Sequence, residues 1–112
     1  MEDGENRSLL LVVTADVASA VVESMKEHNY ARYKISGIAV IDKEMIGRHI
    51  DGIKVVANMD NAAEYVCKEW IDEVLIVTSG VVPYPRELIE QFTETGVTVH
   101  LNLAKVKSVP GK

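Results

Sequence analysis

Apolar residues along the chain recur with two periods, and the change from one period to the other marks the elements. Leu9-Leu10-Leu11-Val12-Val13 is a continuous apolar run, too short for a buried helix and closed by a helix start, so it predicts a strand covered on both faces. From Val17 the spacing turns helical. Val17, Val21 and Met25 recur every fourth position, Ala18 and Val22 fill the same face, and Ser19 and Glu23 lie opposite. Tyr33 to Ile41 predicts a second strand ending on Asp42, and Lys43 to Gly52 a polar connection broken by Gly47 and Gly52. Ile53 to Val56 is a short third strand. Asn58 is the expected N-cap of a helix reaching about Glu69 that buries Met59, Ala62, Ala63 and Val66.

Trp70 and Ile71 lead into a fourth strand, Glu73 to Thr78, whose Val-Leu-Ile-Val centre is apolar throughout. Ser79-Gly80 with Pro83 and Pro85 predicts a loop. The helix after it carries Leu88, Ile89 and Phe92 and ends at Gly96 as the C′ residue. Val97 to Leu103 alternates apolar and polar, which suits a strand at a sheet edge. Strands separated by helices predict an α/β fold of Rossmann-like, three-layer form. Its sheet is expected to be five-stranded, mainly parallel and of order 3-2-1-4-5, with helices on both faces. Residues 8–105 form the expected domain, with 1–7 and 106–112 as flanking linker. Both ends read as those of a domain belonging to a longer protein.

Composition narrows the function. The chain has 112 residues, 47% of them hydrophobic and 26% charged, as in an ordinary globular domain. A net charge of −5, without a basic run, argues against nucleic acid as a partner. The first eight residues are polar and acidic, unlike a signal peptide, and Thr14, Asp16 and Ser19 interrupt the longest apolar stretch, so this segment is not expected to insert in a membrane. Cys67 is the lone cysteine and reads as a buried or half-buried thiol of a reducing compartment rather than a nucleophile.

Chemistry is sparse along the chain. His28, His49 and His100 are scattered, with no ligand spacing to Cys67, so no metal site is expected. His28 suits a surface cap at a helix C-terminus. Ser79-Gly80 lacks the flanking pattern of a nucleophile elbow. Asp72-Glu73 stands at a strand entrance and reads as solvated. The remaining candidate is a nucleotide crevice at the carboxyl ends of the strands, lined by Thr14, Ala15, Asp16, Asp42, Thr78, Ser79 and Gly80.

Two features weaken that crevice. The turn Val13-Thr14-Ala15-Asp16-Val17-Ala18-Ser19 has no glycine, and a left-handed angle forced on another residue costs about 1–2 kcal/mol. Asp16 falls in the first helical turn, where it takes the position an anion would use. At a separation of about 5 Å and an effective dielectric near 20, a phosphate would feel roughly 3 kcal/mol of repulsion. The helix dipole returns only about 0.3–1 kcal/mol. Pyrophosphate binding, and with it any nucleotide cofactor, is therefore disfavoured. Asp42, at the end of the second strand, stands where an acidic residue can hold a ribose hydroxyl pair, although a strand-terminal Asp starting a turn is the commoner role.

A resemblance adds a context. Gly37-Ile38-Ala39-Val40-Ile41-Asp42, followed by Ile46-Gly47-Arg48-His49-Ile50-Asp51-Gly52-Ile53-Lys54-Val55-Val56, is similar to a signature segment of bacterial polyprenyl glycosylphosphotransferases. Asp72-Glu73-Val74-Leu75-Ile76-Val77 and Gly96-Val97-Thr98-Val99-His100-Leu101-Asn102-Leu103 follow in the same order. The resemblance is to the central CoA-binding-like domain of those enzymes and covers residues 8 to 105. It implies a domain between membrane helices and a catalytic part that moves a sugar 1-phosphate, often of galactose or glucose, from a UDP-sugar to undecaprenyl phosphate. It places the chain at the cytoplasmic face of the inner membrane, with the other domains of the parent transferase as partners. The glycine-rich first turn kept by many relatives is absent here. The same type of domain also resembles the N-terminal region of membrane-bound nucleotide-sugar 4,6-dehydratases and epimerases.

The expectation is thus a regulatory or scaffolding domain, non-catalytic by itself. A nucleotide or nucleotide-sugar sensor is the alternative. Ile53–Val56 and Val97–Leu103 are the expected sheet edges, and the second, poor in charge, invites self-association or cover by a neighbouring domain.

Overall fold

A computed structural model describes residues 7–27, 33–78 and 85–103 of the chain. His28, Ser79, Gly80 and Pro83, all singled out above, lie outside them. In chain order the elements are β1 (Arg7–Val13), α1 (Ala15–Glu27), β2 (Tyr33–Val40), β3 (His49–Ile50), β4 (Ile53–Ala57), α2 (Ala62–Lys68), β5 (Glu73–Thr78), α3 (Arg86–Thr95) and β6 (Thr98–Leu103).

The strands form one mixed, mostly parallel sheet of six, in the order β3-β4-β2-β1-β5-β6. β1 pairs in parallel with both β2 and β5, β2 with β4, and β5 with β6. This corrects the expected five-stranded sheet of order 3-2-1-4-5 by a sixth strand, β3, added outside the expected third; the five expected strands, here β4-β2-β1-β5-β6, keep their relative order. The polar connection of residues 43–52 contains an antiparallel strand, β3, which pairs His49 with Lys54 and Ile50 with Ile53. The hairpin closes on Asp51 (φ 49) and Gly52 (φ 87), so the second breaker of that segment is a hairpin turn rather than a simple end. β4 is accordingly flanked on both sides and is not an edge. Among the described residues the outer edge of β6 is unpaired.

Alternation along β1 divides the core. Leu9, Leu11 and Val13 pack with Ala18, Val22 and Met25 of α1, and with Ile38, Val40, Val55 and Val77 from the neighbouring strands. Leu10 and Val12 face the other way, with Val74 and Ile76, onto Ala62 and Val66 of α2 and Leu88 and Phe92 of α3. The apolar run is therefore continuous because each face of the sheet has its own helical cover. Gly37 inside β2 has a specific cause. A Cβ there would stand 2.6 Å from a methyl of Val56, so close approach of β4 requires its absence.

Helix ends show where local signals needed context. Asn58 does start the turn into α2, since its Oδ1 accepts from the N–H groups of Asp60 (2.9 Å) and Asn61 (3.1 Å). The N-cap itself is Asn61, and the helix is shorter than expected, with Met59 left 38% exposed. α3 ends as expected on Gly96, left-handed at φ 88. α2 ends in a Schellman turn in which the Ile71 N–H donates to the Val66 carbonyl at 3.1 Å. The C′ position of that turn, where glycine is the usual occupant, holds Trp70 at φ 56. A tryptophan there costs about 1 kcal/mol relative to glycine.

Candidate functional site

The carboxyl ends of β1, β2 and β5 meet the N-terminus of α1, and pairing register decides what reaches it. Val13 lies opposite Val40 on one side and Val77 on the other. The β1–β2 pairing runs one residue further, with the Ile41 N–H donating to the Val13 carbonyl at 3.0 Å. Asp42 is thereby delivered to the first turn of α1, where its Oδ1 accepts the Ala15 N–H at 2.8 Å. The carboxylate at the backbone donor of the helix start is Asp42. Asp16 lies exposed in the same first turn, as expected, so two carboxylates stand at this helix start. The chemistry is as argued, a carboxylate where a phosphate would bind, but it arrives from the neighbouring strand. One of the two Asp42 oxygens that could hold a ribose hydroxyl pair thus already accepts from Ala15.

Thr14 and Thr78 lie beneath this turn, at the ends of the adjacent strands β1 and β5. They are 0% and 1% exposed, and neither Oγ1 has a hydrogen-bond partner among the described residues. An unmade hydrogen bond on an enclosed hydroxyl costs about 1–3 kcal/mol. The sequence placed both threonines on the crevice, whereas their unpartnered hydroxyls could be seen only once the surroundings were in place. Around them the rim is acidic. Ser19 of α1 donates from Oγ to Asp51 Oδ2 of the β3–β4 turn at 3.1 Å, bringing a further carboxylate to this side of the sheet. Glu44 accepts from Asn58 Nδ2 at 2.8 Å and ties the loop after β2 to the end of β4. Of the expected crevice, Thr14, Ala15, Asp16, Asp42 and Thr78 come together here. Among the described residues no group of three His, Cys, Asp or Glu side chains stands close enough to hold a metal ion.

The amino end of the sheet departs from expectation. Asp72-Glu73 was read as a solvated pair, yet Glu73 is buried at 6% exposure. Its Oε2 accepts from Arg7 Nη1 at 3.1 Å and its Oε1 lies 2.6 Å from His100 Nε2, so one carboxylate joins β1, β5 and β6. Asp72 is exposed, and its Oδ2 accepts the Ser8 N–H at 3.0 Å. A clue was present in the sequence: Glu73 opens a strand whose next residues are apolar on both faces, which leaves it no wet side. Its partners, 66 and 27 residues away, could not be named from it. Cys67 is exposed rather than buried.

No protein-family model matches the chain, and no curated protein matches it. Its fold, however, is found among solved structures. The crystal structure of RSP, a Rex-family repressor, superposes with a TM-score of 0.69 at 13% identity, over 96% of this chain and 50% of that one. RSP in complex with β-NADH gives 0.65 at 14% identity, over 94% and 50%. RSP in complex with β-NAD+ and operator DNA gives 0.64 at 14%, over 94% and 48%. The chain spans about half the length of these structures. At such identity the likeness is one of fold, and it defines a Rossmann-like α/β domain.

Proposed function

We propose that the chain is a non-catalytic regulatory or scaffolding domain of a bacterial polyprenyl glycosylphosphotransferase, working beside a catalytic part that moves a sugar 1-phosphate from a UDP-sugar to undecaprenyl phosphate. The observation that carries the proposal is the Asp42 carboxylate on the Ala15 N–H, which fills the donor a nucleotide phosphate would use. The segments similar to that family also form the frame of the fold. Gly37–Asp42 takes in the second half of β2, Ile46–Val56 the β3–β4 hairpin short of the last residue of β4, Asp72–Val77 all of β5 but Thr78, and Gly96–Leu103 all of β6.

Two measurements test it. The purified chain, incubated with a UDP-sugar and undecaprenyl phosphate, releases no UMP above a denatured control; protein-dependent release refutes the non-catalytic assignment. In the parent gene, an apolar membrane-dipping helix is expected soon after Lys112. A second, glycine-rich Rossmann start there identifies a nucleotide-sugar dehydratase or epimerase instead.

Thr14 and Thr78 favour a second reading, a nucleotide or nucleotide-sugar sensor. Two enclosed hydroxyls without partners beside a helix start are hydrogen-bonding capacity held at the usual ligand end of such a sheet. The repressor that shares the fold has been crystallised with β-NADH. Calorimetry with NAD, CoA and UDP-sugars separates the two, since tight binding by the unaltered chain selects the sensor. Self-association through the outer edge of β6, where Leu101 is 53% exposed, belongs to either reading. Sedimentation showing a monomer at high concentration removes it.

A further inference from the structure

We draw no further inference here: the strongest candidate, the groove beside the exposed Trp70 between the C-terminal ends of α2 and α3, is walled by Val66, Ile71 and Val97, and nothing in the structure shows what covers it.

Discussion

β1 and β5 lie side by side, and their two ends handle polar side chains differently. At the amino end, Arg7 and Glu73 meet and His100 joins them from β6, so a buried carboxylate has a partner on each oxygen. At the carboxyl end β1 is followed by Thr14 and β5 ends on Thr78, and the enclosed hydroxyls of both have no partner among the described residues. There the Ala15 N–H of α1 is matched by Asp42. Charge is used at one end to hold three strands in register, and hydrogen-bonding capacity is left unspent at the other. In doubly wound sheets the second end is the one that meets ligands. The contrast fits a domain whose rigidity is built away from its crevice.

The largest expected effect comes from breaking the satisfied end. Replacing Arg7 by Met together with His100 by Leu strands the Glu73 carboxylate and is expected to destabilise the chain by about 3 kcal/mol, read as a lower urea midpoint. Adding Glu73→Leu recovers most of that loss, because the stranded charge and not the missing pairs is what costs. At the other end the sign reverses. Thr14→Val with Thr78→Val removes two unpartnered hydroxyls and is expected to stabilise by about 1–3 kcal/mol in total, seen as a higher melting temperature. A fall instead would mean that these hydroxyls are bonded in the folded chain.

Asp42→Asn has a smaller effect, a loss of about 1 kcal/mol from a weaker helix cap. Its sharper readout is calorimetric. With the charge removed and the size kept, the variant binds nucleotides more tightly than the parent if a usable crevice lies above Thr14 and Thr78. If neither protein binds, the crevice is closed and the domain is structural. The smallest effect is expected at Trp70, where glycine relieves the left-handed angle and raises stability by about 0.5–1 kcal/mol in urea denaturation.

Much of this molecule follows from residue order alone. The run Leu9–Val13, the fourfold spacing of α1 and the apolar centre of β5 determined parallel, doubly covered strands, since burial on two faces leaves no polar position to alternate. Gly96 determined the end of α3, because an αL cap is a local property of one residue. What the tertiary structure decided concerns residues that meet across the chain. β3 is two residues long, too short for any period to show, and exists because the turn at Asp51-Gly52 folds it onto β4. Asp16 and Asp42 were both visible as acidic residues near the first turn, yet only register sets which one reaches Ala15, 27 positions from Asp42. Glu73 has partners on both oxygens because Arg7 and His100 arrive from two other strands, and Trp70 stands in water where α2 closes on a left-handed residue. Local sequence carries periodicity and chain stops. Which charge meets which donor depends on distances that only the assembled sheet defines.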